Sequence, residues 1–190
     1  MSLRKLVATM AGVAALALTV VAAPAASAES SAALARTITV SGGGEYAGYV
    51  PQAIQVWNSR VPNIRMVQTS GSGNIRISVT SGGGSRATIG HGSGQIILDR
   101  LQINEGYSPL RVITHEMGHS LGLRDNYNGD CNILMSGGSA GYSCRNVYPS
   151  AGEANWVNQS FANGRAAKST ESTEWVVEPT SYDHLAVLAS

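Results

Sequence analysis

Aromatic side chains are scarce in this chain: one Phe, three Trp and seven Tyr account for 6% of 190 residues. A core must therefore be assembled from Val, Ile, Leu and Ala, and a 43% hydrophobic fraction is ordinary enough to allow it. Net charge is nearly absent too. Thirteen Lys and Arg stand against 12 Asp and Glu, leaving +1 at pH 7. Nucleic-acid affinity rests on neutralising phosphates with surplus cations, so no nucleic-acid partner is expected. No internal repeat is visible, which removes repeat arrays from consideration. Cysteine occurs only at Cys131 and Cys144. Glycine, by contrast, is abundant at 22 residues, so loops should be numerous. A length of 190 residues suits one domain.

The one long apolar run lies at the start. Arg4 and Lys5 precede Leu6–Ala23, almost entirely apolar or small, and Ala26-Ser27-Ala28 after Pro24 matches a cleavage pattern. Residues 1–28 are therefore expected to be a signal peptide, removed on export. A retained membrane anchor is the rival reading of such a run. Its alanine-rich composition and the closing cleavage pattern favour removal. In an oxidising compartment one Cys131–Cys144 disulfide is the simplest use of the pair. Closing that loop stabilises by about 3 kcal/mol on a chain-entropy basis.

Residues 29–36 are too few to fold and read as a short linker or pro-segment. Thr37–Val40 alternates as a strand does, and Gly42-Gly43-Gly44 closes it. Val50, Ile54, Trp57 and Val61 recur at helical spacing, with Pro51 suited to a first turn. Ile64–Val67, Ile75–Val79 and Gln95–Asp99 read as strands, and Ser81–Ser85 as a flexible stretch. Ser108 and Pro109 then open a helix as cap and first residue, with Leu110, Ile113, Met117 and Leu121 as its buried stripe. Gly122 suits the left-handed position that ends helices. A last short helix is expected from Ala151 to Phe161. From Arg165 the composition becomes that of a solvated tail, so residues 165–190 are expected to be a mobile or removable extension. Within it, Trp175–Val177 and Leu185–Leu188 are able to dock locally.

The chemistry concentrates in His115-Glu116-Met117-Gly118-His119-Ser120-Leu121-Gly122-Leu123-Arg124-Asp125. Two histidines four apart on a helix share a face, so both imidazoles can hold one metal ion. Glu116 sits beside that ion without having to bind it. After the helix stops at Gly122 the chain turns back, and Asp125 is the first strong donor beyond the turn. The pattern predicts zinc on His115, His119 and Asp125 with one position left for water. Bound zinc acidifies that water and polarises a carbonyl, while Glu116 is placed to take the water proton and pass it to a leaving amine. A polar, solvated helix face is the bland alternative for a bare His-Glu-x-x-His string. The helix-ending glycine and the donor at third-ligand spacing argue against it.

The same residues, extended through Asn126-Tyr127, resemble the snapalysin family of small secreted bacterial neutral metalloproteases. Gly90-His91-Gly92, Ile97-Leu98-Asp99, Cys131 through Gly138, Ile54 through Asn58 and Tyr148-Pro149 also fit. The resemblance covers about Thr37 to Gly164. It implies an α+β zincin-like or metzincin-like fold, with a twisted, mostly parallel sheet of three to five strands, an active-site helix and a small C-terminal subdomain. It implies one Zn2+ on His115, His119 and Asp125, Glu116 as the catalytic base, a Met-turn at Met135 and the Cys131–Cys144 bridge. It also implies a preference for aromatic residues on the primed side of the cleaved bond. Gln95–Asp99 would then be the cleft-edge strand on which an extended substrate pairs. Tyr127, two residues from a ligand, is a candidate to hydrogen-bond the oxyanion. The family's calcium site uses an acidic residue just before the motif helix, where this chain has Ser108, which sets Ca2+ in doubt. Residues 29–36 are also far shorter than the family's propeptide, and no cysteine precedes the motif to serve as a latency ligand.

The expected arrangement is thus a signal peptide (1–28), a short linker (29–36), a zinc metallopeptidase domain (37–164) and a C-terminal extension (165–190). The expected activity is endopeptidase cleavage of proteins or peptides by a secreted, monomeric enzyme with no membrane association after signal removal. An inert metal-bearing surface protein and a zinc amidase acting on cell-wall peptides are the alternatives. Neither His91 nor His184 is expected to be a ligand.

Overall fold

A computed structural model describes residues 35–162 and 174–179 of the chain. The expected signal peptide, most of the linker, His184 and Leu185–Leu188 lie outside the described residues. Among the described residues no helix is long and apolar enough to cross a membrane.

In chain order the elements are β1 (Arg36–Gly42), a 3-10 turn (Gly44–Tyr49), α1 (Val50–Arg60), β2 (Ile64–Gln68), β3 (Ile75–Thr80), β4 (Arg86–Thr88), β5 (Gly94–Asp99), α2 (Arg100–Asn104), α3 (Pro109–Ser120), a second 3-10 turn (Leu134–Ala140), α4 (Ala151–Ser160) and β6 (Trp175–Val177). They form an α+β fold around one six-stranded sheet of order β2-β1-β3-β5-β4-β6. Strands β2, β1, β3 and β5 are mutually parallel, whereas β4 runs antiparallel to β5 and β6 antiparallel to β4. The zincin-like expectation therefore holds, with a sheet one strand wider than the upper bound of the sequence reading.

Side chains alternate across a strand, and here one face is apolar. Ile38 and Val40, Ile64 and Met66, Ile75 and Ile77, Ile96 and Leu98 all point into a single core. Helices α1 and α3 pack on that face and on each other. Trp57 in α1 is fully buried, and its indole nitrogen donates to the Thr114 carbonyl of α3 at 3.0 Å. The expected helix starts are observed: Pro51 lies in the first turn of α1, and the Ser108 hydroxyl caps α3 by accepting from Arg111 N. A capping box of Ser150 and Glu153 opens α4.

Two features depart from the sequence reading. Ser81–Ser85 is not a slack stretch. The buried Asp99 carboxylate accepts from Gly82 N at 2.6 Å and Gly84 N at 2.9 Å, while Ser85 N donates to Gln102 Oε1 at 3.0 Å. That clamp sets β4 down beside β5. Gln95–Asp99 is consequently an interior strand and not the cleft edge, because β4 returns outside it. Trp175–Val177 does dock, as β6 on the outer side of β4, and the following Glu178 is buried.

Candidate metal centre

The site is built on α3, whose every residue from Arg111 to Ser120 is buried. His115 and His119, one turn apart, bring their Nε2 atoms to 3.1 Å from each other. Each imidazole is aimed by a main-chain carbonyl. His115 Nδ1 donates to Leu134 O at 3.1 Å, and His119 Nδ1 donates to Leu123 O at 2.9 Å. A carbonyl only accepts, so the proton sits on Nδ1 in both rings and the Nε2 lone pairs are left to converge on one point.

The helix exit supplies the third donor. Gly122 takes φ +100, which lets Gly122 N bond His119 O and Leu123 N bond Gly118 O as the chain reverses. The reversal carries Asp125 back until its Oδ1 lies 3.3 Å from both Nε2 atoms. A fourth donor arrives from outside the motif. Glu178 Oε1 abuts His115 Nε2, and donor atoms of His115, His119, Asp125 and Glu178 all lie within 4.8 Å of one another.

A divalent cation fits this arrangement on the chemistry of its donors. Two neutral imidazole nitrogens and two carboxylates form a set that zinc favours. Among the described residues the buried Oδ1 of Asp125 and Oε1 of Glu178 have no hydrogen-bond partner, nor does either oxygen of Glu116. Unpaired buried carboxylate oxygens are costly unless something positive faces them. The electrostatics favour a positive charge at the same point. Burial works against charge on His115, yet the facing Glu178 and Asp125 carboxylates hold its pKa well above the ordinary value. Burial opposes ionisation of Asp125 as well, but the two imidazoles pull its pKa far below the usual range. Burial raises Glu116 well above an ordinary carboxyl, partly offset by His115. Glu116 lines the same pocket as His115 and Glu178.

Met135 lies beneath the pair, only 1% exposed. A Cβ on residue 118 would come within 2.7 Å of the Met135 sulfur, so glycine between the histidines is what admits the methionine against the helix. Two charges, the buried Arg111 and the half-buried Glu153, grip the loop that carries Met135. From one side the Arg111 guanidinium donates to the carbonyls of Asn146, Ile133 and Leu134. From the other, Glu153 accepts from Leu134 N at 3.2 Å and Met135 N at 2.8 Å. The Cys131–Cys144 disulfide closes the same loop, with Cα atoms 5.6 Å apart.

The structure thus brings together His115, Glu116, His119 and Asp125, with Met135 below them. Tyr127 is 45% exposed and flanks the cluster. Burial first, then the Glu178 carboxylate and a hydrogen bond toward Asp125, raise its phenol above the ordinary value. His91 is engaged elsewhere, bonded to Arg36 Nη1 and Ser160 O at 3.0 Å each and stacked on Phe161. Sequence reasoning missed Arg111, Glu153 and Glu178. Glu153 was discoverable, three residues after a Ser at a helix start; Arg111 and Glu178 obey no local spacing rule.

The sequence profile of the Streptomyces extracellular neutral proteinase family matches residues 26–164. An extracellular small neutral protease of Streptomyces sp. (strain C5) is 43% identical over 152 residues, which is 79% of this chain and 66% of that protein. Proteins of the same name from Streptomyces lividans and Streptomyces caespitosus are 46% and 45% identical, over 60% of this chain in each case. The matches cover 51% of the former and 87% of the latter. The chain therefore spans about half to two thirds of the length of the first two relatives.

Proposed function

Because the chain belongs to the Streptomyces extracellular neutral proteinase family, we propose that it is a secreted metalloendopeptidase acting on proteins or peptides. In this reading His115, His119 and Asp125 hold one zinc ion and Glu116 is the general base. One observation carries the proposal. Two imidazoles already fixed in the Nδ1–H tautomer and the Asp125 carboxylate converge beside Glu116, neither of whose buried oxygens has a hydrogen-bond partner among the described residues.

Zinc bound there would supply Lewis acidity toward a scissile carbonyl and an acidified water. The chain's own residues do the rest. Burial makes Glu116 more basic than an exposed carboxylate, which suits it to take a proton near neutral pH and return it to the departing amine. Leu134 O and Leu123 O hold the imidazoles in register, so ligand geometry does not depend on the ion's arrival. Tyr127, at the rim of the cluster and hydrogen-bonded toward Asp125, would turn its phenolic proton to a developing oxyanion in this reading. Strand β4 beside α3 would offer main-chain groups to an extended peptide wherever β6 does not occupy its outer edge. An aromatic preference on the primed side is part of the same reading.

Glu116→Gln tests the assignment. The variant should keep its fold and one zinc per chain while losing at least about a thousandfold in turnover, within the range attributed to general acid–base catalysis. Parent-level peptide cleavage by Glu116→Gln, measured alongside zinc content, refutes the base. An inert surface protein would have no use for Glu116, whose loss leaves the zinc donors intact.

A further inference from the structure

We propose that residues 174–179 are a built-in inhibitory strand: β6 occupies the outer edge of β4 while Glu178 places its carboxylate among the three zinc donors. The chain is then latent until this segment leaves. The proposal rests on the peptidase reading above.

The segment lies as an extended peptide would. It runs antiparallel to β4, with Val177, Val176 and Trp175 opposite Arg86, Ala87 and Thr88. Main-chain bonds at both ends complete the ladder: Ile89 N donates to Glu174 O and Glu178 N to Ser85 O, each at 2.9 Å. Without β6, β4 would present those unpaired groups at the rim of the site, the arrangement by which strand addition captures peptides.

The end of the segment is made for the metal centre. Glu178 is 4% exposed, one oxygen accepting from Gly138 N at 2.9 Å and the other abutting His115 Nε2 without a hydrogen-bond partner. The protein leaves room for that carboxylate. A Cβ on residue 137 would come within 2.9 Å of the Glu178 carboxyl carbon, and one on residue 138 within 3.2 Å of Oε2. The other end is fastened beside the third zinc donor, where Arg124 meets Glu174 in a two-pronged pair at 2.6 and 2.9 Å. A carboxylate on the ion fills the position that zinc in a peptidase must keep for water.

The hold is also releasable. Trp175 and Val177 are 40% and 48% exposed, so β6 is kept by its backbone and by Glu178 rather than by apolar burial. The Arg124–Glu174 pair is solvent-exposed and contributes little.

Two variants of the full chain test the idea. Glu178→Ala removes the carboxylate. Val176→Pro removes a ladder N–H from β6 without altering the cluster. At matched zinc content, both should cleave a quenched fluorescent peptide at least tenfold faster than the parent. With cobalt(II) in place of zinc, the visible absorption of the parent should shift in Glu178→Ala, and a chelator should strip that variant at least tenfold faster. Equal rates, spectra and stripping times in all three proteins overturn the latch and leave the peptidase reading standing. Faster cleavage by Glu178→Ala without a spectral change overturns it too, because the carboxylate would then act away from the ion. A spectral shift with no cleavage by any form shows that Glu178 ligates and that the peptidase reading is the one at fault.

Discussion

Glu153 stands well outside the metal-binding motif, yet its removal should loosen the site. Its carboxylate accepts from Leu134 N, Met135 N and Ser150 N at 3.2, 2.8 and 2.6 Å. The first two donors belong to residues no more than 1% exposed, so in Glu153→Ala water cannot readily replace the lost acceptor. A hydrogen bond to a charged group contributes about 1.5–3 kcal/mol, so losing the two buried ones costs roughly 3–6 kcal/mol. Against a total stability of about 5–15 kcal/mol this is a large fraction. At roughly 3–5 °C per kcal/mol for a domain of this size, the melting temperature should fall by about 10–30 °C. Leu134 also supplies the carbonyl that aims His115, so zinc affinity should fall with stability. Glu153→Gln should rescue little, since its amide keeps one acceptor and turns a donor toward an N–H group. Thermal unfolding with and without chelator, beside zinc content per chain, measures both effects. Melting of Glu153→Ala within 3 °C of the parent, at equal zinc content, would refute the clamp.

Other consequences are equally open to measurement. Asp125→Ala should reduce zinc per chain sharply by elemental analysis, and unchanged zinc would place the third ligand elsewhere. Met135→Ala should destabilise by about 2–5 kcal/mol in denaturant unfolding, as emptying a buried site beside Gly118 leaves a cavity. Replacing Cys131 and Cys144 together by Ser should lower stability by about 3 kcal/mol, seen as a shifted denaturant midpoint that reductant reproduces in the parent.

The parts of the molecule legible in the sequence are those governed by local periodicity. The stripe Leu110, Ile113, Met117 and Leu121 with a Ser-Pro start and a Gly exit defines α3, and the i, i+4 rule then puts His115 and His119 on one face. Asp125 follows because a glycine-ended helix can reverse only within a few residues. Strand β4 was not legible: it is three residues long beside a glycine-rich run and exists because Asp99 and Gln102 hold the preceding loop. Missing β4 made β5 look like an edge. Glu178 was beyond reach for a related reason. It is delivered by pairing between strands far apart in the chain, and no interval in the sequence encodes a long-range ladder. The short run Trp175–Val177 signalled only a capacity to dock locally.

Asp99 ends strand β5, caps α2 through Leu101 N, and ties down the backbone of Gly82 and Gly84. One carboxylate thereby fixes the length of the turn into β4. Lengthening that turn by a single residue would lift Gly82 or Gly84 off the carboxylate and loosen the seat of β4 beside β5. Natural relatives and engineered libraries alike should keep the number of residues between Gly82 and Arg86 fixed.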